Sequence, residues 1–562
     1  MVEPAQPPGF DERVLSGKVI DVIRELLGPA ERADEILAII AKLVDRNEDL
    51  ERLLAQMKGA KNRHEHISRD QLALFIAQAA GAATTPDASV NEVDLAALAQ
   101  PLIDAKTAEE EQAKANPKPR QPRGQREMPA HLRREPNPIE VPEAERACPG
   151  CGGERDSLGP ETTPVIELKP AEVFVRLDQR EKLVCKSCDG HLSRAPSGDK
   201  VVEGGLYGPR LVGSLLVDKY DDGLALHRSH ARLLRLGLDM PVSSMADQVL
   251  WASELLEPLW RYSRDLILAS EVMHLDATSL PTLVRKLGKV HQGTLWGMVG
   301  RNGQERIAAY VYASTAKGRG QRRDDQGRLL ELGPLDILDA RQGPVVLDAS
   351  GTFDAAFCRP TIWEVGCNMH SRRYFVTALE AGDKRASHVI RAYKALYIVE
   401  ESVHGKSSDE VLKARQEKSL PLWDAMIKWT ATNLSREPPR SALGRAMQYT
   451  INHHVALGRF LWDGRLPIDN GEVERLHRRP ALVRLNSLFA GSHEGGRRAA
   501  IVLSLLGSCR LAGVDAVAYL GDVLPRLQRD GPKDLAKLMP AAWAKENGSL
   551  SLLRSPTRTV IE

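Results

Sequence analysis

The sequence predicts a multidomain α+β protein, and three features of the chain support this fold class. Its 562 residues exceed the size of an ordinary single domain. Four of its seven cysteines form two Cys-x-x-Cys pairs, which indicates a separate metal-binding module. Near residue 270 helical periodicity gives way to short strand-like runs, and it returns at 369–465, which predicts a mixed α/β domain interrupted by helices.

The composition is typical of a globular protein, with 42% apolar and 27% charged residues. The net charge of +2 does not by itself indicate a nucleic-acid partner. The chain contains no apolar run long enough for a membrane span, and its first residues lack the pattern of a secretory signal. An odd cysteine count argues against a disulfide framework. We therefore expect a cytoplasmic protein without a membrane partner.

The N-terminal region predicts a short helix at 15–28 and then a helix with heptad spacing. The first row of the seam recurs every seven residues and comprises Ile36, Leu43, Leu50 and Met57. The second row lies four residues further on and comprises Ile40, Asn47 and Leu54. This spacing favours a parallel two-stranded coiled coil, and the alternative is one amphipathic helix packed on its own domain. Residues 107–146, rich in Pro, Lys and Arg, predict an extended linker that could follow a DNA backbone.

The paired cysteines predict a structural zinc site with four thiolate ligands, for which redox activity is the alternative. The predicted ligands are Cys148, Cys151, Cys185 and Cys188. Residues 165–177, between the two pairs, read as strand. Four thiolates leave no open coordination position, so this zinc ion would not be catalytic.

Residues 206–268 predict helices with a break at Gly237. A new helix is expected after Pro241, where Ser244 and Asp247 have the spacing of a capping box. A helix, a glycine-containing turn and a second helix are typical of a helix-turn-helix, although two helices of a bundle would have the same pattern. Beyond residue 270, strand-like runs surround a polar insertion at 316–335.

Three carboxylates are candidates for a metal site. Asp276 lies inside the first strand-like run, and Asp348 ends the apolar run Val345–Leu347. A buried carboxylate is costly unless it is paired or binds a metal, although Asp348 could simply cap a turn. Glu474 is expected on a helix rich in Arg and His. An all-oxygen ligand set is typical of Mg²⁺, and two such ions can drive phosphodiester chemistry.

The strongest resemblance to a known family lies in residues 468–527, which begin with IDNGEVERLHRRPALVRLNSLFAGSHEGG. Further matching stretches include VMHLDATSLPTL, VVLDASGTFDAAF and GCNMHSRRYFVTALE, in the same order along the chain. On these motifs the chain resembles transposases of the bacterial insertion sequence 66 family, from about residue 30 to 527. One departure is Asp-Ala-Thr at 276–278, where the family usually has Asp-Glu-Thr.

The resemblance implies an RNase-H-like catalytic core in which Asp276, Asp348 and Glu474 bind two Mg²⁺ or Mn²⁺ ions. Glu472 is the competing third carboxylate, but it aligns where the family usually has a small residue. Cys367 and His370 match a Cys-x-x-His motif and are expected to support the site. The residues expected to contact DNA are Arg475, His477, Arg478, Arg479, Arg484, Asn486, Arg497 and Arg498.

The implied function is DNA cleavage at the element ends followed by strand transfer into target DNA. The implied partners are double-stranded DNA, a second copy of the chain and small accessory proteins of the same element, in a nucleoid-associated assembly. Alternatives are a catalytically silent DNA-binding regulator and a nuclease or resolvase on the same core.

The sequence also predicts domain boundaries. The expected segments are 1–66 (N-terminal helices and coiled coil), 67–146 (helical segment and linker), 147–195 (zinc module), 200–268 (helix-turn-helix-like domain), 269–382 (first part of the core), 383–465 (helical insertion), 466–528 (core helix with Glu474 and following helices) and 529–562 (tail).

Overall fold

The fold is taken from a computed structural model of the chain. The residues that it describes are 89–115, 150, 172–184, 192–194, 198–284, 289–327, 329–348, 353–438 and 440–547. The predicted coiled coil and the four paired cysteines lie outside these residues.

The first described helix, α1, spans Ser89–Ala115. The linker prediction is therefore wrong for 107–115, where Ala, Glu, Gln and Lys favour a helix. Strands β1 (Lys182–Val184) and β2 (Leu192–Arg194) pair antiparallel. The strand predicted at 165–177 is wrong for its described part, because residues 172–177 have no regular secondary structure.

Three helices occupy the region predicted to be helical before the sheet. They are α2 (Pro209–Tyr220), α3 (Leu226–Arg235) and α4 (Val242–Leu268). The break at Gly237 is confirmed, with a positive φ of 86°. The capping box is wrong: α4 begins at Val242 and no side chain caps it, so Ser244 already lies inside the first turn. Pro241 instead precedes the helix with extended backbone.

A five-stranded mixed sheet forms the centre of the described structure. Its strands are β3 (Val272–Leu283), β4 (Val290–Asn302), β5 (Glu305–Ala313), β6 (Gly343–Leu347) and β7 (Ile362–Gly366). Their spatial order is β5-β4-β3-β6-β7. The first three pair antiparallel through consecutive connections, whereas β6 and β7 run parallel to β3. The mixed α/β domain predicted from the change in periodicity is thus confirmed.

The remaining helices alternate with the last strands or follow them. Helix α5 (Pro334–Asp339) precedes β6, α6 (Asp354–Phe357) lies between β6 and β7, and α7 (Asn368–Glu380) follows β7. A long helical segment then follows α7 and contains α8 (Ala386–Ser402), α9 (Ser408–Ala414), a π-helical turn (Arg415–Ser419), α10 (Leu420–Leu434), α11 (Ala442–Asn452), α12 (His454–Gly458) and a 3₁₀ turn (Arg459–Leu461). The last helices are α13 (Gly471–Leu476), α14 (Arg478–Ser487), α15 (His493–Ala512), α16 (Ala516–Asp530), α17 (Leu535–Leu538) and α18 (Pro540–Asn547).

The two faces of the sheet contribute to two different cores, because successive strand residues point to opposite faces. Met273 and Val345 belong to a core shared with α4, α15 and α16. Val272 and Val346 belong to a second core with α7, α8, α10 and α11, and α1 packs on α8 and α10. Both faces of β3 and β6 are therefore covered, which explains the apolar runs that end at Asp276 and Asp348. Among the described helices none is long and apolar enough to cross a bilayer.

Candidate active site

Asp276 and Asp348 lie side by side where β6 ends and its parallel pairing with β3 stops, while β3 itself continues to Leu283. Pairing of β3 with β6 sets Met273 opposite Val345 and His274 opposite Val346. This register offset of 72 residues equals the interval between Asp276 and Asp348, so the same alignment brings the two carboxylates level. Burial raises the pKa of Asp348, with His370 opposing the rise and Asp276 adding to it. The two acidic side chains therefore interact electrostatically at this edge of the sheet.

Glu474 approaches this edge from α13 and faces the turn after β7. Its Oε1 atom lies 3.7 Å from Nδ1 of His370 and 3.9 Å from Sγ of Cys367. Burial raises the pKa of the Cys367 thiol to about 12, so the thiol keeps its proton and can donate to Glu474. Ligand atoms of these three residues lie within 4.8 Å of one another, close enough for one ion. The residues predicted to support the site are thus in contact with Glu474.

Glu472 points away from Glu474, because two residues correspond to about 200° around a helix. Its Oε1 atom lies 3.4 Å from Nε of Arg306 and 3.9 Å from Nη1 of Arg301. Burial alone would raise the pKa of Glu472, but the neighbouring His274 and the two arginines bring it below its ordinary value. Glu472 is therefore already neutralised by cations, whereas Glu474 faces the other predicted site residues.

Asn470 connects the helix of Glu474 to β3 and to Cys367 after β7, and the sequence motifs did not assign it a role. It is fully buried. Its side chain donates to the Leu275 carbonyl oxygen at 2.9 Å and lies 2.9 Å from Nδ1 of His274, while its backbone N–H donates to Sγ of Cys367 at 3.2 Å. An Asn before a Gly at the start of a helix was the available signal. That signal predicts a helix cap, but the side chain of Asn470 instead contacts Leu275 and His274 on β3, far away in the sequence.

His477 lies against Asp276 rather than on the open surface. Its Nε2 atom is 3.4 Å from Oδ2 of Asp276 and has no hydrogen-bond partner among the described residues. The ring fits because Gly297 stands directly opposite Asp276 on β4. A Cβ atom at Gly297 would lie 2.6 Å from Cε1 of His477 and 3.0 Å from Tyr310.

The other residues predicted to contact DNA fall into two groups. Several are engaged within the protein: Arg479 pairs with Asp221 at 3.7 Å, Arg497 pairs with Glu257 at 2.9 Å, and Arg484 donates to Thr278 at 2.7 Å. Asn486 accepts a hydrogen bond from Arg228, and Nε of Arg498 is buried. Arg475 and Arg478 are exposed and make no hydrogen bond or ion pair with the described part of the chain. These two arginines are the most available for phosphate groups.

Comparison with known families gives two matches. Residues 204–498 match the family described as "Transposase IS66 family", and this range includes all three candidate carboxylates. Residues 145–189 match the "zinc-finger binding domain of transposase IS66", a range that includes the four paired cysteines.

Three relatives from Sinorhizobium fredii resemble the chain over most of their lengths. "Uncharacterized protein y4hP" is 30% identical over 90% of this chain and 89% of its own length. "Uncharacterized protein y4qI" is 31% identical over 75% of this chain and 78% of its own. "Uncharacterized protein y4jD" is 27% identical over 74% and 81%.

Proposed function

Because this chain belongs to the IS66 transposase family, we propose that it cuts DNA at the ends of its element and joins them to target DNA. The observation that carries this proposal is the shared register of Asp276 and Asp348, with Glu474 approaching the same edge. The mixed sheet that presents them would be the RNase-H-like core implied by the sequence motifs.

The donor set of the site suits a hard divalent cation. The three carboxylates supply only oxygen atoms, and Asp276 and Glu474 are partly exposed, so an ion and a phosphate could reach them. Two Mg²⁺ or Mn²⁺ ions held by Asp276, Asp348 and Glu474 would activate a water molecule or a 3′-hydroxyl and stabilise the leaving oxygen.

The chain's own residues would position these carboxylates and the DNA backbone. His477 and His370 lie beside Asp276 and Glu474, and Nδ1 of His370 also lacks a hydrogen-bond partner among the described residues. Both rings can therefore restrict the rotamers of the acids that they face. Arg475 and Arg478 would bind phosphates next to the scissile bond.

The remaining segments would bring the DNA ends together. We assign zinc to Cys148, Cys151, Cys185 and Cys188, because the matched zinc-finger domain spans all four. The heptad seam would form a homodimer, which holds two element ends in one assembly. Residues 200–268 would act as a helix-turn-helix-like element, and small proteins of the same element remain candidate partners.

Two matched variants test the proposal on a labelled duplex that carries one end of the element, the inverted repeat expected in the DNA next to the gene. With Mg²⁺, wild type should release the 3′ end and form strand-transfer products. Glu474→Gln should lose at least about 100-fold in cleavage, since one ligand of the ions is gone. Glu472→Gln should keep more activity, because Glu472 contacts Arg301, Arg306 and His274 rather than Cys367 and His370.

The outcomes separate the proposal from its alternatives. Cleavage without strand transfer would indicate a nuclease or resolvase. Binding without cleavage by wild type would indicate a silent regulator. A larger loss in Glu472→Gln than in Glu474→Gln would contradict the assignment of the third carboxylate.

A further inference from the structure

The turn that follows α14 holds a leucine in a strained backbone conformation. The N–H of Phe489 donates to the carbonyl oxygen of Ser487 at 2.6 Å, and Leu488 between them has φ 60° and ψ −47°. This is a γ-turn of the rare, positive-φ kind, which is unfavourable for a residue with a branched side chain. Such strain persists only where surrounding contacts impose it, and it concentrates at functional sites.

The side chains of this turn form an apolar tip, defined here as Leu485, Leu488 and Phe489. Their exposed fractions are 79%, 68% and 40%. The strained backbone therefore does not serve to bury leucine in a core; it presents leucine to the solvent. Neighbouring exposed apolar residues on a fixed support are typical of an interaction surface.

Strand β3 holds the tip in place from both sides. Before the tip, Arg484 donates to Oγ1 of Thr278 at 2.7 Å. After it, the N–H of Ala490 donates to the Pro281 carbonyl at 2.8 Å, and the Ala490 carbonyl accepts from Leu283 at 2.7 Å. A tip anchored twice to a central strand is preorganised for contact with a partner.

The same strand carries Asp276, which fixes the distance between the tip and the candidate active site. Thr278 lies two residues, or about 7 Å, beyond Asp276, and Thr282, which pairs with Ala490, lies about 20 Å beyond it. Duplex DNA rises about 3.4 Å per base pair. A duplex that has its scissile phosphate at Asp276 and runs along β3 would pass the tip within about six base pairs of the cut.

Charge around the tip matches nucleic acid. Arg228 donates to Asn486 beside the tip, whereas exposed Arg478 lies about 15 Å away at the start of α14 and exposed Arg475 lies on α13 before it. Guanidinium groups beside exposed apolar side chains are complementary to DNA, which offers phosphates on its outside and apolar base faces where a step is opened.

We propose that the apolar tip inserts Leu488 between base pairs near the scissile phosphate and unstacks them. The inference rests on the proposed function, since it needs the DNA end to occupy the site. An opened step would free the strand that carries the scissile phosphate to move into the cleavage site.

The test uses the full-length chain, Ca²⁺ in place of Mg²⁺ to prevent cleavage, and a duplex of the inverted repeat next to the gene. 2-Aminopurine replaces single adenines within six base pairs of the cut, and its fluorescence rises when it is unstacked. Wild type should raise the signal at one or two positions. Leu488→Gly should abolish the rise and weaken binding about tenfold. Glycine removes the side chain and relieves the positive φ, so this variant should fold at least as well as wild type.

Leu206→Gly is the matched control, because Leu206 is an exposed leucine outside the tip, and it should behave like wild type. An unchanged 2-aminopurine signal in Leu488→Gly would overturn the inference while leaving the proposed function intact. A change in sedimentation mass of Leu488→Gly, with DNA binding unaffected, would assign the tip to a second copy of the chain and likewise overturn it. Failure of wild type to bind the repeat at all would overturn both the proposed function and the inference.

Discussion

Replacement of Asn470 by alanine should loosen the attachment of α13 and misplace Glu474. The change removes the hydrogen bond to the Leu275 carbonyl and the contact with Nδ1 of His274, both at 2.9 Å and both buried. A buried polar group that loses its partner costs about 1–3 kcal/mol, so the two together predict a loss of about 2–6 kcal/mol in the free energy of unfolding. A displacement of Glu474 by about 1 Å would also be enough to lower the cleavage rate about 100-fold.

Chemical denaturation and cleavage of the labelled duplex measure these two effects separately. Asn452→Ala is the matched control, because Asn452 is exposed and accepts one hydrogen bond from Gln448. It should change the unfolding free energy by no more than about 0.5 kcal/mol. Binding of Mn²⁺, followed by loss of the free-ion EPR signal, should weaken in Asn470→Ala alone. If Asn470→Ala unfolds and cuts like the control, Asn470 does not hold α13 in place.

Three further predictions concern other parts of the chain. Gly297→Ala should displace the His477 ring, because the new Cβ would lie 2.6 Å from Cε1 of His477, and this displacement should lower the cleavage rate. Gly208→Ala is the control, since a Cβ there meets nothing within 4 Å, and it should cleave like wild type. Equal cleavage rates in the two variants would contradict the prediction. Burial raises the pKa of Glu364 to about 7 despite Arg459, so the stability that its protonation provides at low pH is lost as the pH rises through about 7. Glu364→Gln should therefore be more stable than wild type at pH 8 but not at pH 5 in thermal unfolding, and a constant difference would refute the assigned burial. Cys185→Ser should lose one zinc ion per chain by atomic emission, and an unchanged zinc content would exclude Cys185 as a ligand.

The strands could be predicted because the apolar and β-branched residues of each strand are consecutive in the sequence. The runs around Val346 and Tyr310 lie where the structure has β6 and β5. Element boundaries were harder: the predicted linker overlapped α1, and the cap expected at Ser244 lies within α4. Both errors arose where a helix is stabilised by packing on distant helices, which local spacing does not reveal.

The feature hardest to predict was whether a given basic residue faces solvent or pairs with an acid inside the protein. An arginine or histidine in a charged run looks the same in sequence whether it faces solvent or an acid elsewhere in the chain. Folding pairs Arg479 with Asp221 and Arg497 with Glu257, and it sets His477 against Asp276. In each of these three pairs the partners are more than 200 residues apart, so only the assembled fold identifies them.

The sequence by itself determined the family, the paired cysteines of the matched zinc-finger domain and the three candidate carboxylates, because motifs of adjacent residues carry that information. The tertiary structure alone decided how the candidate carboxylates are arranged relative to one another. The parallel register of β3 and β6 aligns Asp276 with Asp348, and the helical rotation between Glu472 and Glu474 turns only the latter toward His370. Strand pairing and helix packing depend on residues far apart in the chain, so the geometry of this site is a property of the folded molecule.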